Sequence, residues 1–131
     1  NIEGALSYEV TWEPRGVIKR FSALVTDNEM IQSVVDTEKD ARFDELRYVI
    51  NDFLGITGIS MTKDSVEEIS VRDRGAAYTN PNIRIAVVAT HPEIIALANA
   101  YANSPLNAYP IKIFPTLVEA RSWLGQENPH R

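Results

Sequence analysis

A chain of 131 residues with 44% hydrophobic and 24% charged content is too apolar to be a disordered tail and is sized for one domain with a full core of its own. Cysteine is absent, which excludes disulfides, thiolate zinc sites and cysteine nucleophiles. Thirteen basic against eighteen acidic residues give a net charge of -5, the wrong sign for a nucleic-acid or anionic-membrane surface. The longest apolar runs, such as 85–89, are far too short to span a bilayer. A single cytoplasmic domain over 7–125 is expected, with flexible termini at 1–6 and 126–131.

The charge is uneven. Residues 27–52 hold eight acids and three bases, so the whole net charge sits there, as expected of a solvated helix face. Tyr8, Val10 and Trp12 alternate with Glu9, Thr11 and Glu13, the period of a strand with one buried face. Pro14-Arg15-Gly16 offers a tight turn, with Gly16 tolerating the exit, so that 17–25 pairs back as an antiparallel partner.

Three apolar runs then lead into Thr-x-x-Glu followed by helical spacing: Thr26 with Glu29, Thr90 with Glu93, and Thr116 with Glu119. These read as capping boxes, in which the threonine oxygen accepts from a free amide of the first turn. Pro92 fits a first turn, and Gly125 fits a helix stop. A further strand at 46–53 is followed by a stretch with two glycines, 54–62, read as a loop, before helical spacing resumes at Val66 and Ile69. The alternation implies an α/β fold: a mixed sheet of about five strands, made of an N-terminal antiparallel hairpin and four strand-helix units with parallel strands.

Parallel strands end on one side, and ligands of open α/β sheets bind along that carboxyl edge. The expected ligand-binding residues are therefore Ile56, Ile59, Ser60, Met61, Thr62, Thr90, His91 and Thr116. A small apolar or amphiphilic ligand suits this set, with its head at helix N-termini and its tail against the isoleucines and Met61. The alternative is that Ile56, Ile59 and Met61 plug the core. The segment 93–102 is apolar nearly all round and calls for cover, so a homodimer contact or cavity wall at Ile95, Ala98 and Ala102 is expected. Catalytic options are thin, with His91 and His130 the two histidines. A hydrolase constellation of Asp52, His91 and Ser60 lacks a nucleophile elbow. No metal-ligand spacing or phosphate-loop motif occurs, and no cofactor is expected.

The stretches Asn82-Ile83-Arg84-Ile85-Ala86-Val87-Val88 and Pro110-Ile111-Lys112-Ile113-Phe114, the latter running on to Leu117-Val118-Glu119-Ala120-Arg121-Ser122-Trp123-Leu124, resemble the SpoIIAA-like family of the STAS and CRAL-TRIO type fold. The resemblance covers most of 7–125. It implies strand-helix units wound as a superhelix, no enzymatic activity, frequent dimers, and a role as regulator or binder of apolar molecules. In the branch that antagonises anti-sigma factors, the strand matching 46–53 leads to Asp-Ser-Ser-Gly with a phosphorylated serine. Asp52 and Gly55 match the opening of that stretch, but the later positions read Ser60-Met61-Thr62-Lys63. The phosphoacceptor falls on Met61, which has no hydroxyl, or with one shift on Thr62, so a phosphorylatable partner switch is the alternative to ligand binding.

Overall fold

The computed structural model describes residues 7–125, and the two end segments expected to be flexible, with His130, lie outside the described residues. The alternating strand is β1 (Tyr8–Glu13), and it pairs antiparallel with β2 (Gly16–Thr26), Tyr8 opposite Phe21 and Glu13 opposite Gly16. The left-handed position in the turn is Arg15, with φ 62°. Gly16 has a different duty from the expected tolerant exit: a Cβ there would stand 2.0 Å from Cζ of Tyr48, so the absence of a side chain makes room for that ring.

After the hairpin, α1 (Asp27–Lys39) and a short 3-10 turn (Ala41–Glu45) lead to β3 (Tyr48–Ser60), followed by α2 (Lys63–Ala76), β4 (Arg84–Val88), α3 (Pro92–Ala102), β5 (Ile111–Phe114) and α4 (Leu117–Trp123). The five strands lie in the order β1-β2-β3-β4-β5, with every pair after the first parallel. The crossover helices α1, α2 and α3 share one face, where Met30, Val66, Ile69, Ile94 and Tyr101 pack with Val17, Phe21, Phe53, Ile85 and Val87. The opposite face is smaller, with Ala120 and Leu124 of the α4 segment packing on Ile18, Tyr48, Ile50, Val88 and Phe114. On that face Arg121 donates to both carboxylate oxygens of Glu13 at 3.0 and 2.6 Å, and the Tyr48 hydroxyl donates to the same carboxylate. Arg121, the largest cause, holds Glu13 below the usual carboxylate range.

Residues 54–60 differ from the expected loop. They continue β3 beside the far half of β2, pairing from Ser22 with Gly55 to Thr26 with Ser60, beyond the last β3–β4 pair at Asp52 and Val88. Two register shifts accommodate this extension, between Arg20 and Ser22 and between Ala23 and Leu24, and Ala23 takes φ 57° there. Gly55 lies so close to β2 that a Cβ would sit 3.2 Å from the Phe21 carbonyl oxygen. Its glycine serves close backbone approach within a strand.

Candidate functional site

Caps account for much of the expected carboxyl-edge site. Thr26, Thr62 and Thr116 accept from the amides of Glu29, Ser65 and Glu119 at 3.3, 3.4 and 3.2 Å. The third expected cap is not Thr90. That residue is exposed, and His91 caps α3 through Nδ1, which accepts from the Glu93 amide at 3.2 Å. Pro92 explains the shift: the residue before a proline is driven into extended backbone, so the helix entry falls at His91. Ser60 is exposed, while Ile56, Ile59 and Met61 are half-buried and pack against the main core. Met61 is the one member of the expected set that lines the cavity described below.

The alternative constellation of Asp52, His91 and Ser60 does not assemble. Asp52 accepts from the Leu54 amide at 2.9 Å, and Ser60 follows eight residues along the same strand, about 26 Å away at ~3.3 Å per residue. The loop that was to bring Ser60 back is strand. Of the residues expected at a dimer contact or cavity wall, Ala98 faces the chain's own core beside Ile94 and Tyr101 and lines the cavity, Ile95 is half-buried against that core, and Ala102 is exposed. The apolar helix is thus covered largely from within. Thr62 donates its amide to Asp27 Oδ1 at 3.1 Å, which ties the start of α2 to the start of α1.

The sheet's inner face has a polar centre. Lys19 on β2 and Asn51 on β3 are register partners, and they are 2% and 8% exposed. Each stands in the middle of an apolar triplet on one face of its strand, Val17-Lys19-Phe21 and Val49-Asn51-Phe53. Lys19 Nζ donates to the Ser33 carbonyl of α1 at 2.8 Å, an oxygen that also accepts from the Thr37 hydroxyl at 2.7 Å. From α2, Asp73 accepts from the Tyr101 hydroxyl of α3 at 2.7 Å.

Burial dominates the electrostatics of this cluster. It lowers the Lys19 ammonium to about 8, with Asp73 and Glu38 opposing the shift. It raises Glu38 to about 7, with Asp73 as the second cause, and it also raises Asp73. Two hydrogen-bonded carboxyl groups in little water cannot both ionise cheaply, so they hold one proton between them. Burial likewise pushes Tyr101 and Tyr109 up, and both remain neutral donors.

Beside this cluster lies a cavity of about 110 Å³ between the sheet and α1, α2 and α3. Its walls are mostly apolar, with Val87 and Ile85 from the sheet, Val66 and Ile69 from α2, and Met30 and Ile94 from α1 and α3. Lys19, Glu38, Asn51 and Asp73 form its polar part. Two buried oxygens, Glu38 Oε2 and Asn51 Oδ1, have no hydrogen-bond partner among the described residues. Unpaired buried acceptors cost about 1–3 kcal/mol each. None of these four polar residues stood among the expected site residues. Their signal in the sequence was a Lys and an Asn each interrupting the apolar run of a strand.

No family model and no curated protein matches the chain. Among solved structures, the unphosphorylated form of the anti-sigma factor antagonist SpoIIAA is similar at 9% identity and a TM-score of 0.60, over 90% of this chain and 97% of the other. An uncharacterised DUF3478-family protein from Shewanella loihica PV-4, described as having a SpoIIAA-like fold, is similar at 13% identity and a TM-score of 0.51, over 89% of this chain and 91% of that one. A five-stranded sheet opened by an antiparallel hairpin, with three helices on one face and the last on the other, superposes on both along nearly its whole length, and this chain has the SpoIIAA-like, STAS-type fold.

Proposed function

We propose that the chain is a non-enzymatic binding domain of the regulatory kind, which holds a small, largely apolar ligand between its sheet and the layer of α1, α2 and α3. The observation that carries this reading is the cavity: apolar walls meet a built polar part in which Asn51 Oδ1 has no partner among the described residues. A core shaped only for stability would fill such a space with a side chain. Regulation enters by likeness to the SpoIIAA structure, that of an anti-sigma factor antagonist. A ligand that rigidifies the sheet and three helices would alter what the surface presents to a partner.

Benzene is the test probe, followed by heteronuclear NMR with labelled methyl groups. Saturable shifts at Val66, Ile69, Ile85 and Val87, with Val118 on the remote α4 unmoved, are expected. Absence of saturable shifts up to the solubility limit of benzene would end the reading.

A further inference from the structure

The cavity's unambiguous unpaired acceptor is Asn51 Oδ1, an amide oxygen with no hydrogen-bond partner among the described residues. An occupant that satisfies it brings a hydrogen-bond donor. Charge narrows the choice. One ammonium, on Lys19, faces two carboxyl groups of Glu38 and Asp73 that share a proton, so the polar end is balanced. A carboxylate or phosphate head would add an uncompensated negative charge and leave Asn51 Oδ1 unfilled, and an organic cation would be set against Lys19. A hydroxyl group fits both demands, since it donates to an acceptor and can accept from a lysine N–H.

Size sets the rest of the molecule. A dry engineered cavity of about 150 Å³ takes benzene, and this one measures about 110 Å³. Met30 and Met61 in its wall are unbranched side chains that adjust to an occupant more readily than Ile or Val.

Building on the reading of the cavity as a ligand site, we propose that its ligand is a neutral, ring-sized apolar molecule bearing one hydroxyl, which donates to Asn51 Oδ1. Asn51 is the selecting residue because its place in the middle of β3, paired with Lys19 on β2 and Val87 on β4, holds its backbone from both flanking strands. Glu38, at the last turn of α1, belongs to the same polar end, where its partner is Asp73. In this proposal the ligand is a neutral molecule in the interior, in place of an amphiphile with its head at the helix N-termini.

The test is titration of the full chain with benzene, phenol, benzoate and benzylammonium, followed by NMR and calorimetry. Phenol is expected to bind about tenfold more tightly than benzene, the worth of one net hydrogen bond, and more tightly than either ion. The Asn51 side-chain amide resonances should move with phenol and stay still with benzene. In Asn51→Leu the phenol margin over benzene should vanish. Equal binding of phenol and benzene to the parent chain, a margin that survives Asn51→Leu, or preference for an ion would overturn the hydroxyl assignment while leaving the cavity as a ligand site. Failure of all four probes would remove the ligand site itself. Should Asn51→Leu fail to fold, the parent chain's affinities and the Asn51 amide resonances decide alone.

Discussion

Lys19 and Asn51 face each other across the parallel β2–β3 register, on the side of the sheet that every neighbouring residue of their triplets devotes to the apolar core. Lys19 has the Ser33 carbonyl as its acceptor, whereas Asn51 Oδ1 has no partner among the described residues. The pair therefore puts local stability and the proposed ligand site in opposition, an arrangement common where a binding site is built into a core.

Replacing Asn51 by Leu tests that opposition directly. The variant removes an unpaired buried acceptor and keeps the same branched skeleton, with the adjoining cavity to take the larger methyl groups, so it should gain about 1–2 kcal/mol. Urea and thermal unfolding measure the gain, seen as a rise of several degrees in Tm. A loss of stability would show that Asn51 already has a satisfied role in the ligand-free chain.

Glu38 predicts a pH dependence. Raised from 4.5 to about 7, it retains a proton in the folded chain after the unfolded chain has released it. Stability from that proton is therefore full below about pH 4.5 and is lost as pH rises through about 7. The groups bearing on it are Lys19 from β2, Asp73 and Arg72 from α2, and Tyr101 from α3, through Asp73. Lys19, lowered to about 8 from 10.5, acts oppositely at higher pH: its contribution is present above about 10.5 and is lost as pH falls through about 8. Glu38→Gln should flatten the decline between about pH 4.5 and 7 and leave the alkaline limb in place. Denaturant unfolding across this range decides it, and an unchanged acid-side slope would refute the shared proton.

Gly16 and Tyr48 are coupled by contact. A methyl group at position 16 would overlap the Tyr48 ring, and moving the ring would disturb its hydrogen bond to Glu13. Gly16→Ala should destabilise by about 1–3 kcal/mol, the usual range for overpacking. Most of that penalty should disappear when Tyr48 is already Val, because the obstructing ring is gone. A double-mutant cycle reads the coupling, and additive penalties would contradict the contact.

The order of elements was legible where a strand leads into a local signal. Thr26 and Thr116 cap the helices that their spacing announced, and the Tyr8-Val10-Trp12 alternation marks the edge strand. What escaped was set by distant partners. Two glycines made 54–60 look like a loop, yet Gly55 is needed for close approach to the Phe21 carbonyl, a contact no local window contains. Thr90 lost the cap to His91 because Pro92 fixes the residue before it. The polar centre was half visible, as Lys19 and Asn51 break the apolar register of their strands. Their meeting depended on a pairing 32 residues apart in sequence, which the patterns of the separate strands do not encode.

Thr62 is the residual candidate for phosphorylation, and the structure sets a negative charge beside it. Its amide donates to Asp27 Oδ1 at 3.1 Å, while its hydroxyl caps Ser65. Thr62→Asp keeps a capping oxygen but brings a second carboxylate toward Asp27. Favourable interaction with the N-terminus of α2 works in the other direction, so the informative quantity is the coupling between the two positions. Thr62→Asp should lose about 0.5–1 kcal/mol more in the parent than in an Asp27→Asn background at low salt, and the difference should shrink as salt is added. The same repulsion disfavours a phosphate at Thr62, whose charge is larger. No coupling at low salt would remove this electrostatic objection and return Thr62 to contention as a switch residue.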